Sequence, residues 1–166
     1  MPGFPRDRRQ FFSPADCQYV TGTWSDAIVS NIASKNKTAA AETPTVIISI
    51  TPPRRTRPGS LIRIVRVKVY YEIATLAGTA VTFRVRLVTL APDGTAISSA
   101  AVTFTKDLTD AQAYALGHRC VTITITDGKL IADGQTLHVE FDLTCAATTV
   151  LKFKGALVEY TEPPAY

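Results

Sequence analysis

From Thr45 onward the chain alternates apolar and polar residues with the period of a strand. Between Arg63 and Ala74, Val65, Val67, Val69, Tyr71 and Ile73 fall on one face and Arg66, Lys68, Tyr70 and Glu72 on the other. That is the pattern of a strand buried on one side. Val81, Phe83, Val85 and Leu87 repeat it against Thr82, Arg84 and Arg86, with Leu76-Ala77-Gly78-Thr79 as the intervening turn. A hairpin that sets Glu72 opposite Arg84 and Tyr70 opposite Arg86 brings unlike charges together, so this register is expected over one that opposes Lys68 and Arg86.

Further strands are predicted at Val46 to Ile50, Ile97 to Thr105, Val121 to Thr126, Thr136 to Thr144 and Val150 to Thr161. Asp93-Gly94, Asp127-Gly128 and Asp133-Gly134 are turn signals, because glycine accepts the positive φ that tight turns need. In the last strand Leu151 and Phe153 hand the inward face to Val158 and Tyr160 across Gly155, a change of parity that predicts a bulge. A helix of one or two turns is expected over Thr109 to Leu116, with Thr109 or Asp110 as N-cap and Gly117 as its stop. Seven or eight strands with one small helix predict an all-β fold, a single jelly-roll-like antiparallel β-sandwich of about eight strands over residues 44–166. Its expected core includes Val67, Val69, Tyr71, Phe83, Val85, Val139, Phe141 and Phe153.

Residues 1–43 differ in kind and are expected to form an extended N-terminal arm and linker. Pro-bracketed, Arg-rich pieces carrying Phe4, Arg6, Arg8, Arg9, Phe11 and Phe12 precede Tyr19 and Trp24, and Ser25 to Ser34 predicts a short helix through Ile28, Val29 and Ile32. So many aromatic rings must dock, either on the chain's own sandwich or on another subunit, and the eight aromatic and basic residues from Phe4 to Trp24 are the candidate contacts.

Composition sharpens this picture. The 166 residues are 46% hydrophobic and 19% charged, enough apolar material for one domain with a sizeable core. No apolar run reaches the length of a membrane span, and the N-terminus lacks the apolar stretch of a secretion leader, so no membrane contact is expected. The formal charge of +4 is uneven, since residues 1–68 carry eleven Lys and Arg against four Asp and Glu. A basic first third suits an anionic neighbour. The most basic stretch, with Arg54, Arg55 and Arg57 held extended by prolines, is a candidate rim or polyanion contact.

Chemistry is sparse. Cys17, Cys120 and Cys145 form no Cys-x-x-Cys pair. Alternation puts Cys120 and Cys145 on opposite faces, so no bridge between them is expected and all three are read as free thiols of a reducing compartment. His118 and His138 lack convergent partners, and Glu140 and Asp142 are the two acids any alternating strand presents on its solvated face. No nucleophile elbow, phosphate loop or dinucleotide fingerprint occurs. No catalytic residue, metal set or cofactor site is therefore expected, and the protein is not expected to be an enzyme. Arg66, Lys68, Arg84 and Arg86 interleave with Tyr70, but Glu72 and a single aromatic give nucleic acid only weak support.

Taken together, the aromatic and basic arm, the Val/Thr-rich strands, the one small helix and the final strand Leu151-Lys152-Phe153-Lys154-Gly155-Ala156-Leu157-Val158-Glu159-Tyr160 resemble small jelly-roll proteins of virus and bacteriophage particles. The resemblance implies a capsid or decoration subunit located in the virion. It also implies a homo-oligomer, a trimer among the options, partnered by other capsid proteins through sandwich faces and the arm. The alternative class is a carbohydrate- or receptor-binding β-sandwich module, which needs exposed aromatics arranged as a platform. In the sequence Trp24, Tyr70, Tyr114 and Tyr166 are scattered.

Overall fold

In the computed structural model, which describes residues 6–29, 32–37, 40–51, 62–75, 77–91, 93–94 and 96–162, the alternation becomes twelve strands. They are β1 (Arg6–Phe12), β2 (Gln18–Thr21), β3 (Trp24–Val29), β4 (Ile32–Lys37), β5 (Thr45–Ile50), β6 (Ile62–Ile73), β7 (Ala80–Leu90), β8 (Ile97–Ala101), β9 (Phe104–Lys106), β10 (Gly117–Ile131), β11 (Gln135–Thr144) and β12 (Leu151–Glu162). The first sheet runs β3-β4-β12-β6-β10-β9, with β1 also paired to β12, and the second runs β2-β5-β11-β7-β8. Every pairing between these strands is antiparallel. The two sheets form a β-sandwich.

The core between them holds the inward residues of both, and all eight expected core residues are buried there. Tyr71, Phe83 and Phe141 form its aromatic centre, with ring centroids 4.7 and 5.2 Å apart. Helix α1 (Asp110–Ala113) lies within the expected stretch: the Thr109 hydroxyl caps it by accepting from Gln112 N, and Tyr71 Oη ties it down by donating to Ala113 O at 2.5 Å.

The expected β6–β7 hairpin does not form. The two strands lie in different sheets, and the chain between them crosses over, with Ala74 N donating to Val150 O and Thr79 N to Thr144 O. A strand with one apolar face packs face to face as readily as it pairs edge to edge, so alternation alone does not choose. The charges are matched on other strands: Glu72 meets Lys152 and Lys154 on β12, and Arg84 meets Glu140 and Asp142 on β11. Likewise β10 and β11 belong to different sheets, and Asp127-Gly128 interrupts β10 as a bulge, at φ 57° and 61°, rather than ending it.

The described part of the expected arm is built into both sheets. β1 runs along β12 from Arg6↔Glu162 to Phe12↔Ala156, and β2 pairs with β5. The helix expected at Ser25 to Ser34 is instead the β3–β4 hairpin, paired from Trp24↔Lys37 to Val29↔Ile32. Its apolar spacing does not mark a buried helical face, since Ile28 is 78% exposed.

Bulges set the faces of the long strands. Phe153 pairs with Tyr71 and Gly155 with Tyr70, so Lys154 is the extra residue of the expected bulge, and Gly155 holds φ 108°. A second bulge at Val65 moves the inward face of β6 from Ile62 and Ile64 to Val67 and Val69, which leaves Val65 half-buried.

Candidate functional site

The outer face of the first sheet is the most organised surface among the described residues. Its rows follow from the registers. Asp7, Thr161, Arg63 and Leu130 form one row, and Arg9, Glu159, Arg66 and Thr124 the next. The third is Phe11, Leu157, Lys68 and Thr122, the fourth Gly155, Tyr70 and Cys120, and the last Lys152, Glu72 and His118. Phe11, Leu157, Gly155 and Tyr70 thus lie between charged positions, with Lys68 and Thr122 continuing the third row and Cys120 the fourth.

Phe11 is 56% exposed, and its ring leans over Gly155, which stands next to Tyr70. Only a residue without a Cβ leaves room there. Burial and the neighbouring Cys120 and Glu159 raise the Tyr70 phenol above its ordinary value, while Arg9 opposes them. Two carboxylates organise the flanks. Glu159 is approached by Arg9 Nε at 3.5 Å, Arg66 at 3.6 Å and Lys68 at 3.4 Å. Glu72 is approached by Lys154 at 2.8 Å, Lys152 at 3.3 Å and His118 at 3.6 Å, and the lysines hold its pKa below the ordinary value. The charged side chains are thereby fixed on a rigid sheet, where polar contacts to a ligand cost little ordering.

The remaining sequence candidates are dispersed. Arg9 and Phe11 lie on this face, whereas Phe12 is buried in the core and Arg8 is half-buried. Tyr19 packs against Trp24 and Phe153 at centroid distances of 4.8 and 6.2 Å and donates to Pro14 O, and Trp24 Nε1 donates to Thr21 O. Those two rings are therefore spent on the chain's own sandwich. Arg6 is in β1 but its side chain, with Phe4, Arg54, Arg55 and Arg57, lies outside the described residues.

His138, Glu140 and Asp142 face outward on the second sheet. Arg84 meets Glu140 at 3.4 Å and Asp142 at 2.6 Å, and Arg86 meets Glu140 at 3.6 Å; the arginines stay exposed, but Asp142 is buried rather than on the solvated face expected for it. Burial lowers the His138 pKa, against Glu140. Cys17 and Cys145 are buried and Cys120 is exposed, all as free thiols. Among the described residues no cluster of three His, Cys, Asp or Glu is placed to hold a metal ion, and no helix is long and apolar enough to cross a membrane. A shallow, open depression of about 410 Å³ beside α1 is lined by Leu108, Ala111, Gln112, Ala115 and Arg119. It presents no convergent chemistry.

Sequence reasoning missed the placing of Phe11, Leu157 and Tyr70 in adjacent rows of one face, because they come from three distant segments. The one signal was the parity change at Gly155, the position over which Phe11 leans.

No protein-family model matches the chain, and no curated protein matches it. Among solved structures, a family 61 carbohydrate-binding module in complex with β-1,4-galactotriose is similar over 92% of this chain and 86% of its own, at 11% identity and a TM-score of 0.42. A family 28 module specific for non-crystalline cellulose is similar over 90% and 86%, at 11% identity and 0.34. A family 11 module from Clostridium thermocellum, in complex with a β-1,3-1,4-mixed-linked tetrasaccharide, covers 98% and 88%, at 8% identity and 0.31. Likeness at this level carries no argument about ligands. These structures are carbohydrate-binding modules and not virion components, which corrects the resemblance to capsid and decoration proteins together with the virion location and subunit role it implied. Size and strand alternation are general to sandwiches, and the described N-terminal aromatics Phe11, Phe12, Tyr19 and Trp24 are built into the chain's own sheets.

Proposed function

We propose that this chain is a non-catalytic carbohydrate-binding β-sandwich whose ligand lies across the outer face of the first sheet. The observation that carries the reading is the exposed Phe11 ring seated beside Leu157, Gly155 and Tyr70, between two rows of fixed charged side chains. A sugar ring has an apolar C–H face and a rim of hydroxyls. The aromatic rows offer area to the first and the Glu159 and Glu72 networks offer donors and acceptors to the second. The surface is the outer face of a sheet, so it suits an extended polysaccharide better than a small molecule enclosed in a pocket.

The test is retention of the full chain by a panel of immobilised polysaccharides, with Phe11→Ala and Tyr70→Ala as variants. Each ring covers area worth about 1 kcal/mol, so each variant should weaken binding about fivefold, with thermal melting run as a folding control. If no polysaccharide retains the full chain, or if both variants bind as the unaltered protein does, the reading fails.

A further inference from the structure

The same face carries more positive charge than its own carboxylates balance. Its outward positions on β1, β12 and β6 hold six cations, Arg9, Arg63, Arg66, Lys68, Lys152 and Lys154, against three carboxylates, Asp7, Glu72 and Glu159. The outward residues that β10 pairs to them, His118, Cys120, Thr122, Thr124 and Leu130, add no acid. These paired positions thus hold an excess of three, with Asp107, whose Oδ1 accepts from Thr122 N, and Asp127, in the β10 bulge beside Arg63, at the edges of the face.

The ion pairs show how it is distributed. Glu159 has two oxygens and three cations within 3.6 Å, and Glu72 has two lysines and His118 within the same distance. One carboxylate cannot neutralise the three cations around Glu159 or the two lysines around Glu72, so each network keeps a net positive field directed at solvent. Glu72 and Lys68 are four residues apart on β6, so the two fields are separated by about 13 Å of strand, with Tyr70 between them. Arg9 is 72% exposed and Arg66 50% exposed, so both remain open to a ligand while they lean on Glu159.

Resting on the carbohydrate-binding reading above, we infer that the ligand is an acidic polysaccharide, whose carboxylate or sulfate groups settle on the Glu159 and Glu72 networks while a sugar ring between them covers Phe11 and Tyr70. Charge-assisted hydrogen bonds from Arg and Lys to such groups are stronger than those to neutral hydroxyls. The spacing of the two networks makes the face selective for anions repeated along a chain over a single anion.

The probes are polygalacturonate, its fully methyl-esterified neutral form, dextran sulfate, and single-stranded DNA of similar length, bound to the full chain in affinity electrophoresis. Polygalacturonate, dextran sulfate or both should bind, and the two arms separate carboxylate from sulfate as the preferred anion. The methyl ester should bind at least about tenfold more weakly than polygalacturonate, and affinity should fall severalfold between about 0.05 and 0.5 M NaCl as the screening length contracts. The pair Arg9→Gln with Lys68→Gln, and separately Lys152→Gln with Lys154→Gln, should each lose about tenfold while Phe11 and Tyr70 stay in place. Two networks are tested independently, so a variant that fails to fold does not leave the question open. If the neutral ester binds as tightly as the acid, the acidic-ligand inference is overturned and the carbohydrate reading stands. If no polysaccharide binds, charged or neutral, both fall. If DNA binds as tightly as either acidic polysaccharide, the face is a general polyanion surface and the inference is likewise overturned.

Discussion

The Phe11 ring is seated on Gly155: a Cβ at that glycine would lie 2.8 Å from Phe11 Cζ and 2.4 Å from the Phe12 carbonyl oxygen. The contact joins the first strand to the last. It also depends on φ 108° at Gly155, a conformation that costs an L-residue about 1–2 kcal/mol before any clash is counted. Gly155→Ala should therefore lower the melting temperature by about 5–10 °C and make β1 more susceptible to proteolysis. A variant that melts with the unaltered protein would show that β1 yields at no cost.

The three thiols should separate by reactivity. Burial pushes the Cys17 thiol up to about 12 and the Cys145 thiol up to about 11, so neither forms thiolate near neutral pH, while Cys120 is exposed on the outer face. A colorimetric thiol titration should count one fast thiol in the folded protein and three after denaturation. Two or three fast thiols in the folded state would contradict the burial of Cys17 or of Cys145.

Alternation made most strands from Thr45 onward legible, because a period of two is imposed by the pleat itself, but the single strand expected over Ile97 to Thr105 is β8 in the second sheet and β9 in the first. It left partners unspecified: β6 and β7 have equally clean faces yet lie in different sheets, and their charges are matched by β12 and β11. Residues 6–37 misled for a different reason. Before Trp24 the aromatics are set among Pro, Gly and Arg, so no strand period shows, and Ile28, Val29 and Ile32 carry a helical spacing; pairing with β12 and β5, and of β3 with β4, makes the described segments strands. Of the candidate site, Arg9 and Phe11 were singled out as arm contacts and Tyr70 as a solvent-facing residue, but their meeting depends on a register that no local pattern encodes.

Val69 lies at the centre of the first sheet, paired with Val121 on one side and Ala156 on the other, and is fully buried. An Asp there would place an unpaired carboxylate in the core, at a cost of several kcal/mol against a total stability of about 5–15 kcal/mol. Val69→Asp should give no soluble, cooperatively melting protein, whereas Val69→Ala should fold with a loss of about 1–3 kcal/mol. Cooperative melting of the Asp variant would remove Val69 from the core.

Lys37 is a buried cation that closes the junction of β4, β12 and the segment after β4. Its Nζ donates to Thr149 O at 3.2 Å and to Ala40 O, with the Glu42 carboxylate at 4.0 Å. Methionine keeps the apolar stem but supplies no donor, leaving those acceptors buried without their partner. Lys37→Met should cost about 1–3 kcal/mol, read as a lower midpoint in urea with an unchanged slope. An unchanged midpoint would mean that the lost hydrogen bonds are offset by the desolvation of the ammonium.

Glu72 links stability and binding through one charge. Hydrogen bonds from Lys154 and Lys152 hold its carboxyl below the ordinary 4.5, so the folded state favours the ionised form more than the unfolded chain does. The resulting stabilisation is complete above about pH 4.5, the unfolded value, and is lost as pH falls through the depressed folded value. Glu72→Gln removes that charge at every pH. The variant should melt below the unaltered protein near neutral pH, and the two melting temperatures should converge as the medium is acidified below the ordinary carboxylate range. The same substitution deprives Lys152, Lys154 and His118 of the carboxylate they share, which raises the positive field on the outer face. Binding of polygalacturonate should therefore tighten in the variant even as its stability falls, a reversal that general damage to the fold would not produce. Weaker binding in a folded Glu72→Gln protein would show that Glu72 itself contacts the ligand, as a hydroxyl acceptor, rather than restraining the lysines around it.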